Sequence, residues 1–153
     1  MKKVLRIYIE NSVIGGYFDK EFETSTKKLF ELFRTGVYKP VISAHVIAEL
    51  DKGAPDYVKK NLETIEYEKH VVNEEMKTLA KAYMAEQIVS DNYYDDALHI
   101  AIATILGVDV LVSFNFRHIV NLDRIKLFNA VNLKERYNML EIRTPQEVLK
   151  NDD

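Results

Sequence analysis

The chain reads as one α/β domain of three α/β/α layers, with helices on both faces of a mostly parallel central sheet. Three observations predict this. Short apolar runs at residues 4–9 and 108–112 lack the alternation of half-exposed strands, as strands buried on both faces do. Segments with helical periodicity separate the apolar runs, the pattern of strand–helix–strand crossovers. The 153 residues suit one core and contain no repeat, low-complexity tract or linker, so residues 1–153 are expected to form a single domain.

The elements follow in order. Residues 4–9 make the first buried strand, and Asn11-Ser-Val-Ile-Gly-Gly opens a helical turn with Asn11 or Ser12 as N-cap. Residues 24–35 place Leu29, Phe30, Leu32 and Phe33 on a helical repeat stopped by Gly36. These four span a wide arc, so one or two are expected to face a second copy; burial of all four is the alternative. Residues 40–42 form a second strand, and Ser43 caps a helix through Asp51 that breaks at Gly53-Ala-Pro55. A helix over residues 56–63 and an edge strand within 65–71 come next. Asn73 caps an amphipathic helix with Met76, Leu79, Ala80, Tyr83 and Met84 on one face. Residues 95–106 form a helix apolar almost all round, which calls for deep packing, and Gly107 ends it before the strand at 108–112. A helix from Asp123 or Arg124 to Lys134 and a strand near 140–142 follow. Thr144-Pro-Gln-Glu147 is a capping-box start for a short terminal helix with Pro in its first position.

Composition excludes several classes. A hydrophobic fraction of 47% with 29% charged residues describes a globule, not a disordered or fibrous chain. The absence of cysteine removes disulfides, thiolate metal sites and a thiol nucleophile. No apolar run nears the roughly 20 residues that span a bilayer, and residues 1–9 are too interrupted for a signal-peptide core. A cytoplasmic location with no membrane association is the expectation. The net charge of −3 lacks the basic footprint of a nonspecific nucleic-acid binder. It counts little against a metal nuclease, whose site must itself be acidic. Gly15-Gly16 is not followed by Lys-Ser/Thr, so there is no P-loop, and Ser12 and Ser43 lack a nucleophile-elbow context. No His-x-x-x-His occurs, which disfavours zinc.

What remains is oxygen ligands from four separated segments. Glu10 directly follows the first strand and Asn115 closely follows the strand at 108–112, where ligands of open parallel sheets bind. Asp95 and Asp96 start the buried helix, favoured there by its dipole. Glu49 lies within the helix after the second strand, with His45 one turn before it on the same face. Each has a plainer reading: Asp96 as a cap, Asp95 as a solvated or capping acid, Glu49 as a solvated acid, Asn115 as a turn residue. Glu10 resists that reading, because an acid ending a buried strand is costly to desolvate unless paired or metal-bound. His99 reads as a hydrogen-bonded core histidine, His45 as a surface residue or a partner of Glu49, and His70 as an exposed strand residue. Tyr93-Tyr94 either lines a substrate groove or packs. Together the acids suit a hard divalent cation, Mg²⁺ or Mn²⁺, and phosphodiester chemistry.

The order of motifs resembles a known family. Glu10-Asn-Ser12 after a strand, Val46-Ile-Ala-Glu-Leu50, Asp96-Ala-Leu-His-Ile-Ala101 and Leu111-Val-Ser-Phe-Asn-Phe-Arg-His-Ile119 resemble PIN-domain ribonucleases, and among them the VapC-like toxins of type II toxin–antitoxin pairs. The likeness covers essentially the whole chain and is most specific from Asp96 to Ile119. It implies a PIN-like fold and places Glu10, Glu49 and Asp96 on the three principal acidic positions, with Asn115 on a fourth that is often Asp. It implies that Glu10 and Asp96 hold the metal while Glu49 and Asn115 orient water. Ser12 falls on a position that organises the metal end, and Arg117 and His118 would meet substrate phosphate. The implied activity is metal-dependent cleavage of RNA, with a homodimer and an antitoxin protein as partners. Glu10 in place of Asp and Asn115 in place of an acid depart from the pattern. They leave open a catalytically weakened binding or assembly module, while a small-molecule phosphatase ranks last for want of a phosphate-cradling loop.

Overall fold

A computed structural model describes residues 3–149 of the chain. Five strands form one sheet: β1 (Leu5–Ile9), β2 (Tyr38–Ser43), β3 (Glu68–His70), β4 (Val110–Val112) and β5 (Ile142–Arg143). All neighbouring strands run parallel, in the order β3-β2-β1-β4-β5. The expected mostly parallel sheet is therefore wholly parallel among the described residues. The helices are α1 (Asn11–Gly16), α2 (Glu23–Arg34), α3 (Ala44–Gly53), α4 (Asp56–Leu62), α5 (Glu74–Ala85), α6 (Tyr94–Leu106) and α7 (Leu122–Lys134). Short 3-10 turns at Asp91–Tyr93 and Pro145–Val148 complete the chain.

Ile7, Tyr8, Ile9, Leu111 and Val112 are fully buried, as strands covered on both faces must be. The edge strand β3, Glu-Lys-His, is polar, which discourages pairing with other chains. Helix α6 buries seven consecutive residues from Ala97 to Ala103, so it lies in the interior as its all-round apolar surface requires. Gly107 ends it in the left-handed region at φ 65°, where a side chain would be strained. At the other end of the chain the capping box forms as expected, Thr144 accepting from the Glu147 N–H and Glu147 from that of Thr144.

Two sequence expectations change. On α2, Leu29, Phe30 and Phe33 are buried and Leu32 is partly buried against the same core. Tilted ring packing of Phe30 on both Tyr17 and Phe33 widens the buried stripe beyond a single helical face, so this face is not free for a second copy. The second change is the cap of α1, which is Glu10 rather than Asn11 or Ser12.

Strand order decides where a site can form. The chain leaves β1 for β2 on one side, and later fills the other side with β4 and β5. That reversal opens a crevice at the carboxyl ends of β1 and β4. Ile9 pairs with Val112, so Glu10 and Ser113 leave the sheet side by side at this crevice.

Candidate functional site

Glu10 is only 5% exposed. Its Oε2 accepts from the Ser12 N–H at 3.1 Å and its Oε1 from the Ser12 hydroxyl. A carboxylate one residue before the helix satisfies a free N–H and sits at the positive end of the helix dipole, which is why it takes the cap from Asn11 or Ser12. Ser12 Oγ also accepts from the Phe114 N–H at 2.9 Å, tying Glu10 to the loop beyond β4. Gly16 allows that loop close: a Cβ there would stand 2.9 Å from the Phe114 ring. Burial pushes the Glu10 carboxyl above its ordinary range, while His99 and hydrogen bonds from Ser12 and Ser113 pull it back. Ser12 thus orients Glu10.

His99, 2% exposed, stands at the centre. Its Nδ1 lies 2.8 Å from the Tyr8 hydroxyl, itself 2.9 Å from Ser43 Oγ, and its Nε2 lies 2.5 Å from Glu49 Oε1. The charge of His99 also acts on Glu10 and Asp96. Of the three carboxylates, Glu49 from α3 contacts the buried imidazole directly, and Glu10 from the end of β1 and Asp96 from α6 feel its charge. Burial works to raise the Glu49 carboxyl, but the His99 hydrogen bond and the His99 and His45 charges outweigh it and hold the group below its ordinary range. Burial pushes the Tyr8 phenol far up, so its proton stays in place.

Asp96 sits in the first turn of α6 without capping it; the cap residue is Tyr93, which makes no side-chain cap. Its Oδ2 is 3.2 Å from His118 Nδ1, and the Asn115 side chain helps to stabilise its charged form. Burial raises its carboxyl, partly opposed by His118, His99 and Asn115, and Glu49 adds to the rise. Asn115 also accepts from the His118 N–H at 3.0 Å, so its turn role and its place beside Asp96 hold together. His118, placed by the resemblance at substrate phosphate, is instead 7% exposed, pairs with Asp96 and packs its ring 3.7 Å from that of Tyr93. The ring is buried between Tyr93 and Asp96, whereas Arg117 in the same loop is exposed. Asp95 is 61% exposed on its side chain and points at His45, with Oδ1 3.1 Å from Nε2.

The donor set fits a divalent cation. Glu10 and Asp96 offer hard oxygens, and burial raises both carboxyls, a desolvation cost that a bound cation would offset. Asn11 Oδ1 and His45 Nε2 are buried without hydrogen bonds, the latter 3.1 Å from Asp95 Oδ1 and 3.7 Å from Glu49 Oε1. Beside Glu49 lies a groove of about 400 Å³ lined by Asn11, Phe18, Asp19 and Tyr57. The hydrogen bonds of Tyr8 with Ser43 and His99, and of Ser113 with the Asn115 N–H, are not legible in the sequence, where Ser43 reads only as a helix cap. The His45–Glu49 spacing of one helical turn was visible, but His99, fifty positions on, joins it only through the fold.

No family model matches the chain, and no curated protein matches it. A solved structure does: VapC20 of Mycobacterium tuberculosis, described as a sarcin–ricin loop cleaving toxin. The TM-score is 0.54 at 15% identity, covering 73% of this chain and 92% of that one. The fold is PIN-like. No helix among the described residues is long and apolar enough to cross a membrane.

Proposed function

We propose that the chain is a metal-dependent endoribonuclease of the VapC-like type, acting on RNA with Mg²⁺ or Mn²⁺. The observation that carries this reading is the gathering of Glu10, Glu49 and Asp96 about His99 at the switch-point crevice. The VapC20 likeness supports it at the level of architecture.

In this reading Glu10 and Asp96 hold the cation, and Glu49 and Asn115 orient water beside it. A bound divalent cation supplies a more acidic water and charge at the phosphoryl oxygens. Ser12 and Ser113 fix the Glu10 carboxylate through their hydroxyls. His118 holds Asp96 from the opposite side. Arg117 contacts the substrate phosphate. Single-stranded or looped RNA suits a narrow acidic crevice, since its backbone can be splayed into it. The same reading includes an antitoxin that lays a basic side chain near the acids, and a homodimer. Sedimentation at micromolar concentration tests the dimer; a clean monomer of 17.8 kDa excludes an obligate one.

A second reading, an inactive binding or assembly module, draws on Glu10 and Asn115 standing where the family pattern has Asp or another acid. Cleavage of a generic single-stranded RNA in Mn²⁺ separates the two. Wild type should cut, and Asp96→Asn should not, while unfolding no more easily. Burial already disfavours charge at Asp96, so removing that charge costs the fold little. Equal cutting by Asp96→Asn would remove Asp96 from the chemistry, and no cutting by wild type would favour the module.

A further inference from the structure

The cluster His45, Glu49 and His99 lies beside the carboxylate crevice but differs from it in kind. Each residue offers one ligand atom, and these atoms lie within 4.8 Å of one another. Two are imidazole nitrogens. Nitrogen donors suit borderline transition dications such as zinc, whereas Mg²⁺ prefers oxygen alone.

We propose that His45, Glu49 and His99 form a binding site for a transition-metal dication, zinc foremost, adjoining the oxygen site of Glu10 and Asp96 and sharing Glu49 with it. This inference stands whether or not the chain cleaves RNA.

The geometry is near what zinc requires. Bonds of about 2.0–2.1 Å in a tetrahedron set the ligand atoms about 3.3–3.4 Å apart. His45 Nε2 stands 3.7 Å from Glu49 Oε1, so that edge needs to shorten by only a few tenths of an ångström. The His99 Nε2 to Glu49 Oε1 edge is 2.5 Å, the length of a hydrogen bond, and widens when a cation takes the place of the shared proton. Glu49 has the freedom for this, with 28% of its side chain exposed.

Two further features belong to a ligand site. His45 Nε2 is buried and makes no hydrogen bond, although it lies 3.1 Å from Asp95 Oδ1 and 3.7 Å from Glu49. A buried ring nitrogen within ion-pair distance of two carboxylates, yet without a hydrogen bond to either, is a partner that a cation would satisfy better. His99 is already braced from behind: its Nδ1 meets the Tyr8 hydroxyl at 2.8 Å, and Tyr8 meets Ser43. With Nδ1–H donating to Tyr8, the Nε2 lone pair faces Glu49 and His45, the outer bracing usual for metal-bound histidine. Asp95 or a water completes four ligands.

The test uses metal-stripped full-length protein titrated with Zn²⁺ against a chromophoric chelator, in excess Mg²⁺, with Co²⁺ absorption reporting coordination. One Zn²⁺ per chain is expected. His45→Gln and Glu49→Gln should each weaken binding on the order of tenfold or more. Asp96→Asn should weaken it less than His45→Gln does, because Asp96 acts on His99 and Glu49 through its charge and offers no ligand atom to the cluster. His45 is partly exposed and without hydrogen bonds at Nε2, so His45→Gln is expected to keep the fold, which circular dichroism checks. Unchanged zinc affinity in His45→Gln, or no zinc binding by wild type, overturns the proposal. Loss in Asp96→Asn with normal binding in His45→Gln overturns it too, placing the metal in the oxygen site.

Discussion

Tyr8→Phe deletes one oxygen from a fully buried side chain and tests whether His99 organises the site. The lost hydroxyl bridges His99 Nδ1 at 2.8 Å and Ser43 Oγ at 2.9 Å, and the phenylalanine ring fills the same volume. No cavity term therefore enters, and the cost is that of polar groups left unpaired in a dry interior. An unpaired buried imidazole nitrogen costs about 1–3 kcal/mol. Ser43 loses less, since its Oγ keeps the Val46 N–H at 3.3 Å. The total is about 2–3 kcal/mol, which lowers the melting temperature by roughly 5–10 °C in a domain of this size. Urea unfolding should show a lower midpoint at unchanged slope, because the exposed surface does not change. Adding His99→Leu should cancel most of the Tyr8→Phe cost, a coupling of about 1 kcal/mol or more. A loss below about 0.5 kcal/mol would be the size of an ordinary surface change and would refute the bridge. If the bridge holds His99 for function, the Tyr8→Phe protein should also cleave RNA more slowly at saturating substrate while folded. An unchanged turnover would show that the bridge serves only stability.

Asn115→Asp keeps the acceptor for the His118 N–H but replaces an amide that stabilises charged Asp96 with a second carboxylate. Without metal it should raise the Asp96 carboxyl further and destabilise the fold at neutral pH; with Mn²⁺ it should lower the concentration needed for half-maximal cleavage. Unaltered metal dependence would place Asn115 away from the cation. Glu68 is held at about 2, chiefly by its hydrogen bonds from Arg6, against the usual 4.5. A depressed carboxyl adds stability above its unfolded pKa and loses it as pH falls through the folded value, so this contribution fades between about pH 5 and pH 2. A shift of that size corresponds to at most about 3 kcal/mol, cut to roughly 1 kcal/mol by solvent around two side chains near 30% exposed. Glu68→Gln should therefore cost about that much at pH 7 and almost nothing at pH 2. A gap between wild type and variant that stays constant across this range would refute the assignment.

Much of the fold was legible because its signals are local. Short, largely apolar runs marked β1, β2 and β4, and Ser43, Asn73 and Thr144 capped the helices as their types require. The cap of α1 was misplaced by one or two residues, because Glu10 is a poor cap by type and takes the role through its buried position. The α2 face was misjudged because its burial depends on aromatic neighbours such as Tyr17, which periodicity does not register.

By itself the sequence determined the elements, the α/β class and the acids at strand and helix ends, since propensity, capping and hydrophobic period act within a few residues of chain. Only the tertiary structure decided that His99 touches Glu49 and Tyr8, that His118 turns inward to Asp96, and that His45 Nε2 is left without a hydrogen bond. Those contacts join residues as far as 91 positions apart, and sheet order and helix packing, not local preference, bring them within bonding distance.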